Sequence, residues 1–321
     1  MKLRFYSLSL VMMFSGLATA SAQTVEVGSV SALQTLTDRR WNHGAIDCST
    51  SEEPAIDVFQ YSASSYILRQ SKCLSYEAPF IYLLIGEESS LLVDTGATES
   101  VEKFPLYSTV TSILESHSTD GKRKPITVLH SHSHSDHRAG DTQFSGSDQV
   151  KLVEPNALGL SHFFDFENTD KGEVIIDLGG RTVTVFPIPG HQQESIAIYD
   201  SKTQWMLTGD TFYPGYVYVK NWEAYRQSIA RMVEFSKHRS VSALLGAHIE
   251  MKAESKEYYP IGTLYQPNEA SLVLSVNDLT RLNQALVAAE KPQELVFDKF
   301  VVAPLSGLQK AISGILGWFV D

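Results

Sequence analysis

The chain is poor in cysteine, in basic residues and in long apolar stretches, and each shortage removes a class of function. Only Cys48 and Cys73 occur among 321 residues, too few for a disulfide-built scaffold or a cysteine-rich metal knuckle. Lys and Arg number 26 against 37 Asp and Glu, a balance that repels nucleic acid and anionic membrane surfaces. No run approaches the roughly 20 apolar residues that a membrane span needs. The sequence also lacks a G-x-S-x-G segment, so the strained elbow that exposes a nucleophilic serine has no candidate. What remains is 43% hydrophobic, enough for a full-sized core.

The first 22 residues read as a secretory signal peptide. Lys2 and Arg4 are followed by an apolar region from Leu8 to Leu17, then by Ala18, Ala20 and Ala22 at cleavage-site spacing. Cleavage after Ala22 would leave a periplasmic or secreted protein, two units more negative than the formal −11 of the whole chain. In an exported chain the two cysteines are expected to pair, with a pair of buried thiols as the alternative. Residues 23–78 carry no strong periodicity and are assigned to an N-terminal extension packed on the core. Residues 251–321 are assigned to a C-terminal accessory region, helical over Asn277–Ala289 and again over Leu305–Val320.

Between them, residues 79–250 alternate short apolar runs with helical periodicity. Phe80–Ile85 and Leu91–Val93 predict a hairpin, Pro105–His117 a helix and Ile126–Leu129 a buried strand. A strand at Gln149–Val153 and a short helix at Asn156–Phe166 follow. Two further hairpins are predicted, Val174–Leu178 with Arg181–Phe186 and Ser195–Tyr199 with Gln204–Leu207, then a helix over Glu223–His238 and a strand over Val241–Leu245. The fold class is therefore mixed α/β.

Metal-binding side chains collect where these strands end. Ile126–Leu129 runs directly into H-S-H-S-H-S-D-H, which holds His130, His132, His134, Asp136 and His137. An accidental H-x-H-x-D-H is expected roughly 5 × 10⁻⁴ times in a chain of this composition, so a solvated polar tract is a poor explanation. Other strands end at Asp94-Thr95-Gly96, at Pro189-Gly190-His191, at Thr208-Gly209-Asp210 and at Gly246-Ala247-His248. Imidazole suits Zn²⁺ and carboxylate suits harder cations, so manganese and iron stand beside zinc.

In order and type, these motifs resemble those of the metallo-β-lactamase superfamily of hydrolases, over about Pro79 to Ile249. The resemblance implies an αββα sandwich of two mixed sheets with the site along one edge. It allots His132, His134 and His191 to one Zn²⁺, Asp136, His137 and His248 to a second, and Asp210 to both. It also implies that a hydroxide held between two cations attacks the carbonyl of a small-molecule ester, lactone or amide, a β-lactam among them. Asp136 or Asp210 would then relay a proton to the leaving group. The subclass with a cysteine ligand is disfavoured, because His137 stands in the motif and neither cysteine is near it. Cytosolic glutathione thioesters fit an exported chain less well.

Two alternatives stand. Tyr213, three residues after Asp210, matches the tyrosine that donates to substrate oxygen in the superfamily's acyl-homoserine lactonases. From another class, the chain could be a non-catalytic exported metal-binding protein. His130 has no place in the family set and is read as a strand-end support.

Overall fold

The computed structural model describes residues 28–118, 121, 123–164 and 172–305, with backbone alone at 28–31 and 157. The signal-peptide reading and all but the first residue of the Leu305–Val320 helix reading fall outside these residues. Described helices are α1 (Gly28–Thr37), α2 (Leu106–Ser116), α3 (Ser135–Arg138), α4 (Ala157–Phe163), α5 (Trp222–His238) and α6 (Val276–Ala288). None of them is long and apolar enough to cross a membrane.

Two six-stranded sheets form the body. The first has the order β1 (Ile56–Ser62), β2 (Ser65–Gln70), β3 (Phe80–Ile85), β4 (Ser90–Val93), β5 (Ile126–Leu129), β6 (Val150–Leu152). Its strands are antiparallel from β1 to β4, and β4 then pairs in parallel with β5. Parallel neighbours need a crossover, and α2 supplies it. The second sheet has the order β13, β12, β10, β9, β8, β7, with β7 (Val174–Asp177), β8 (Thr182–Pro187), β9 (Ile196–Asp200), β10 (Trp205–Gly209), β12 (Ala243–Gly246) and β13 (Val273–Leu274). It repeats the plan: β7 to β10 are antiparallel, and β12 lies parallel to β10 after the chain has passed through α5. A small third sheet joins β11 (Tyr216–Val219), β15 (Val301–Pro304) and β14 (Leu295–Val296).

Three apolar clusters reveal the layering. One lies between the sheets, where Tyr82, Leu84, Leu91 and Val93 meet Val183, Ile198, Trp205 and Leu245. A second joins the outer face of the first sheet to Leu106, Val110 and Leu114 of α2. The third joins Met206 and Leu244 of the second sheet to Ile229 and Met232 of α5 and Leu279 and Leu282 of α6. Helix, sheet, sheet, helix is thus the order of layers, an αββα sandwich. The all-buried strands β3, β4, β10 and β12 read as unbroken apolar runs because both of their faces are covered.

Both flanking segments are woven into this body. β1 and β2 are hydrogen-bonded members of the first sheet rather than an extension laid upon it. Past residue 250, β13 pairs with β12 and β15 pairs with β11, so among the described residues this region shares strands with the body. The sequence hides this because β1 exposes much of one side and β13 is two residues long. Cys48 and Cys73 are joined in a disulfide.

At the end of the sandwich remote from the histidines, Arg181 clamps both sheets. Its guanidinium donates twice to Asp200 at 2.7 Å, to the carbonyls of Ser64 and Ile85 and to Ser65 Oγ. Both side chains of the pair are wholly buried. Removing one partner leaves an uncompensated buried charge, so Arg181→Ala should destabilise the fold by about 3–5 kcal/mol. Urea denaturation midpoints would show it, and a change under about 1 kcal/mol, the range of a solvated pair, would contradict the clamp.

Candidate metal centre

Strand ends at one edge of the sandwich, with the short helix α3 that follows β5 and carries Asp136 and His137, supply the side chains of the centre. β4 delivers Asp94, β5 the tandem histidines, β8 His191, β10 Asp210 and β12 His248. The two sheets are stitched at this edge by Ser131 O accepting from Ile196 N at 2.9 Å and by Ala247 O accepting from Phe80 N at 2.8 Å.

The seven side chains gather into two groups that share Asp210. His132, His134, His191 and Asp210 form one group, and Asp136, His137, His248 and Asp210 the other, with the ligand atoms of each within 4.8 Å of one another. In the first, His132 Nε2 and His134 Nδ1 are 2.9 Å apart and His191 Nε2 is 3.3 Å from His134 Nδ1. In the second, His137 Nε2 and His248 Nε2 are 3.3 Å apart, and Asp136 Oδ2 lies 3.1 and 3.3 Å from them. A tetrahedral Zn²⁺ with bonds of about 2.0–2.1 Å holds its nitrogen ligands roughly 3.3 Å apart, which these spacings approach. Asp210 turns Oδ2 toward His132 and His191, each at 3.8 Å, and Oδ1 toward His248 and His137 at 3.3 and 3.6 Å. That Oδ1 is buried and has no hydrogen-bond donor.

The outward nitrogens decide what the inward ones are. His137 Nδ1 lies 2.9 Å from Asp94 Oδ2, His191 Nδ1 2.8 Å from Tyr218 O, His248 Nδ1 2.9 Å from Glu77 O and His132 Nδ1 3.1 Å from Ser131 Oγ. His134, turned the other way, meets the amide of Gln192 through Nε2 at 2.5 Å. An imidazole whose outer nitrogen donates carries its lone pair inward. Four of the five rings have such an acceptor at the outer nitrogen, while His134 Nε2 faces the donor nitrogen of Gln192; with the two carboxylates, the five inward-turned rings fit a site for cations that displace the inner protons.

Backbone geometry explains two of the motif residues. Asp94 holds φ at +69°, a region that Asp tolerates better than most residues, and so can accept from Ser131 N at 2.7 Å and Ser131 Oγ at 2.9 Å while reaching His137. Gly209 has φ +50°, and a Cβ there would stand 2.6 Å from Ser131 Cβ. Only glycine lets β10 pass so close to the histidine loop.

Ionisation differs between the two groups. Burial and the neighbouring imidazoles take His132 far below its ordinary range and His134 down to about 3, and burial lowers His191. Burial also presses on His137 and His248, but Asp136 and Asp210 outweigh it, and both imidazoles sit well above their ordinary range. The two carboxylates are correspondingly held well below theirs against the cost of burial.

Some side chains stand elsewhere than the sequence suggested. The Tyr213 ring lines the cavity, but its hydroxyl lies 3.0 Å from Tyr216 O and 3.2 Å from Glu250 Oε2, engaged within the protein rather than aimed at substrate. His130 is in neither group; its Nε2 lies 2.8 Å from Asp141, which also accepts from Thr95, and so it braces the turn that follows the motif. His117, which follows the end of α2, meets the Tyr66 hydroxyl at 2.8 Å. Gln192, Glu77 and Tyr218 went unnoticed in the sequence. Gln192 adjoins the His191 motif, a weak signal; Glu77 and Tyr218 act on imidazoles through backbone carbonyls, which no residue type announces.

A cavity of about 240 Å³ opens beside the centre, bounded by His134, Asp136, His191, Asp210 and His248 and walled beyond them by Tyr76, Glu77, Tyr213, Tyr218, Glu250 and Ile261.

A model of the metallo-beta-lactamase superfamily matches residues 77–288. Among curated proteins, the chain is similar to acyl-coenzyme A thioesterase MBLAC2 of Homo sapiens, 26% identical over 168 residues, which are 42% of this chain and 58% of that protein. The Gallus gallus protein of the same name is 25% identical over 211 residues, 56% of this chain and 75% of that one. The chain thus spans less than two thirds of the human relative's length. Solved structures similar to it include a metallo-beta-lactamase from Pontibacter korlensis, 16% identical, TM-score 0.45, covering 73% of this chain and 100% of that one. Another is the metallo-beta-lactamase TMB-1, 12% identical, TM-score 0.48, covering 74% and 100%.

Two outcomes follow from the centre. Ligands must be unprotonated to bind a cation, so protons compete for His137 and His248 at a higher pH than for His132, His134 and His191. On acidification a metal-loaded sample should lose the ion of the Asp136 group first, visible as two separate steps in metal content by native mass spectrometry; loss in a single step would contradict the asymmetry. Asp94→Asn, which weakens the support of His137, should lower affinity for that same ion about 10–100-fold in a competition assay with a chelating dye.

Proposed function

Because the chain belongs to the metallo-beta-lactamase superfamily, we propose that it is an exported, zinc-dependent hydrolase of small acyl compounds, with one ion in each of the two ligand groups. The observation that carries this reading is the orientation of five imidazoles, each tied on its outer side by a polar partner and turned inward toward Asp136 and Asp210. Bound there, the ions would supply Lewis acidity and a water whose pKa falls to about 7.

The chain's own residues do the rest. Asp210 faces both groups and balances charge between them, and its low pKa keeps it anionic at neutral pH. Asp136, at 3.1 Å from His137 and on the cavity wall, is placed to accept a proton from the attacking water and to hand it on. Net, the acyl carbon gains the hydroxyl of one water, its bond to the leaving oxygen, sulfur or nitrogen breaks, and the leaving group takes the proton.

Among substrates, esters and thioesters come first. The thioesterase names of the curated relatives favour the latter, although the cavity is smaller than the roughly 300–1,000 Å³ common for whole ligands, so that only the acyl end of a large substrate would enter. A lactonase of the acyl-homoserine type needs a free tyrosine hydroxyl, and Tyr213 has committed its own to Tyr216 and Glu250. Export is supported by residues 1–22 and by the Cys48–Cys73 disulfide, which suits an oxidising compartment.

Zinc-loaded protein should hydrolyse members of a panel of aryl esters, thioesters, lactones and β-lactams, and a chelator should abolish turnover until zinc is restored. His132→Ala and Asp210→Ala should each lower kcat/KM at least about 100-fold. Binding of two zinc ions without turnover of any panel member would favour a metal-binding protein instead.

A further inference from the structure

The wall of the cavity facing the substrate has a chemistry distinct from the metal ligands. Glu77 and Glu250 both line it, and neither belongs to a ligand group. Tyr76, Tyr213 and Tyr218 present ring surface beside them. Among the described residues, no lysine or arginine lines the cavity. Lys72, buried and absent from the lining, donates from its ammonium to Tyr76 O at 3.1 Å and lies 3.8 Å from Glu269, with Glu77 and Glu250 also acting on it through space.

The aromatic surface continues outward. Tyr218 stacks obliquely with Tyr216 at 4.9 Å between centroids, and Tyr216 with Tyr258 at 5.2 Å. Tyr258 is 45% exposed, so the file of rings leads from the cavity to solvent. Carboxylates alone would say little. Carboxylates interleaved with electron-rich rings, in a concave site next to a reactive centre, are the pairing that recognises organic cations, because ring faces and carboxylates both attract an ammonium that has shed its water. The same wall offers nothing to a carboxylate or phosphate held near the reacting carbonyl.

We propose that this wall seats a positively charged group, so that the favoured substrates are small acyl esters or thioesters whose leaving group carries an ammonium, while substrates with an anion at that position are turned away. The inference deepens the hydrolase reading and rests on it for the position of the reacting carbonyl. Glu250 is already held in the orientation this needs, since its carboxylate accepts from Tyr216 N at 2.7 Å and from the Tyr213 hydroxyl, which fixes it against the cavity. Tyr213, which the sequence put forward as a donor to substrate, becomes in this view a wall ring and an anchor for Glu250.

The test uses three thioesters that differ only at the leaving group: acetylthiocholine, its uncharged neohexyl isostere, and S-acetyl mercaptopropionate, which carries a carboxylate. With zinc-loaded protein, kcat/KM should be at least about tenfold higher for the cation than for the neutral compound, and lower again for the anion. The cation-to-neutral ratio should fall toward one in Glu77→Gln, in Glu250→Gln and in Tyr218→Leu, whatever each variant does to the absolute rate. A ratio at or below one in the parent protein, or one that survives all three substitutions, would overturn the proposal, as expected if the glutamates merely balance the metal charge. Should none of the three be hydrolysed, the hydrolase reading is judged by the wider panel of esters, lactones and β-lactams, and calorimetry with tetramethylammonium still decides the seat. Saturable binding that weakens in Tyr218→Leu supports it, and absence of binding refutes it.

Discussion

The constraint on which the structure turns is the convergence of five imidazoles and two carboxylates, largely buried, at one edge of the sandwich. Left alone, such an arrangement is repulsive, and the protein answers it in two ways at once. Protons collect on His137 and His248, where the carboxylates are closest, while His132, His134 and His191 stay neutral through burial. Cations would satisfy all seven side chains together. The cost of holding ligands in readiness is met by the sandwich, whose two sheets bury their shared face and leave the ligands only their loop ends to arrange.

That arrangement is fixed less by the ligands than by what stands behind them. Ser131 donates twice to Asp94, and Asp94 in turn steers His137. The His191 and His248 rings are set by carbonyls of Tyr218 and Glu77, from β11 and from the link between β2 and β3. Glu77 lies four residues from the disulfide-bonded Cys73, so the covalent bridge to Cys48 bounds the movement of the segment that steadies His248. A chain of short contacts therefore runs from residues outside the ligand motifs into the centre.

This explains what could be read in the sequence and what could not. Chemistry that depends on side-chain identity was visible: the H-x-H-x-D-H run, the isolated His191, Asp210 and His248, and the glycines beside them. Strands β3, β4, β10 and β12 were visible too, because double burial writes an unbroken apolar run. Contributions made through main-chain atoms left no trace, as with the carbonyls of Glu77 and Tyr218. A strand that faces solvent on one side left little, as with β1, and β2, wholly buried, hid behind its polar residues Ser65, Arg69 and Gln70, so the two read as an appended segment although they complete the first sheet. Tyr213 was singled out by its spacing from Asp210, and the structure sets it in the cavity lining with its hydroxyl beside Tyr216 O and Glu250.

The division between legible and illegible follows the division of labour in the molecule. Metal ligands come from strand ends that the sandwich holds in register, and their types are dictated by coordination chemistry. The wall that meets the substrate comes from segments outside the two main sheets: Tyr76 and Glu77 between β2 and β3, Tyr213 and Tyr218 after β10, Glu250 and Ile261 after β12. Side chains on such segments can change without breaking either main ladder, while the carbonyls of Glu77 and Tyr218 go on holding the His248 and His191 rings. Reactivity and selectivity thus reside in separate parts of the chain, and a motif that fixes the first is silent about the second. The carboxylates and rings of the wall, not the histidines, are where the identity of the substrate is written.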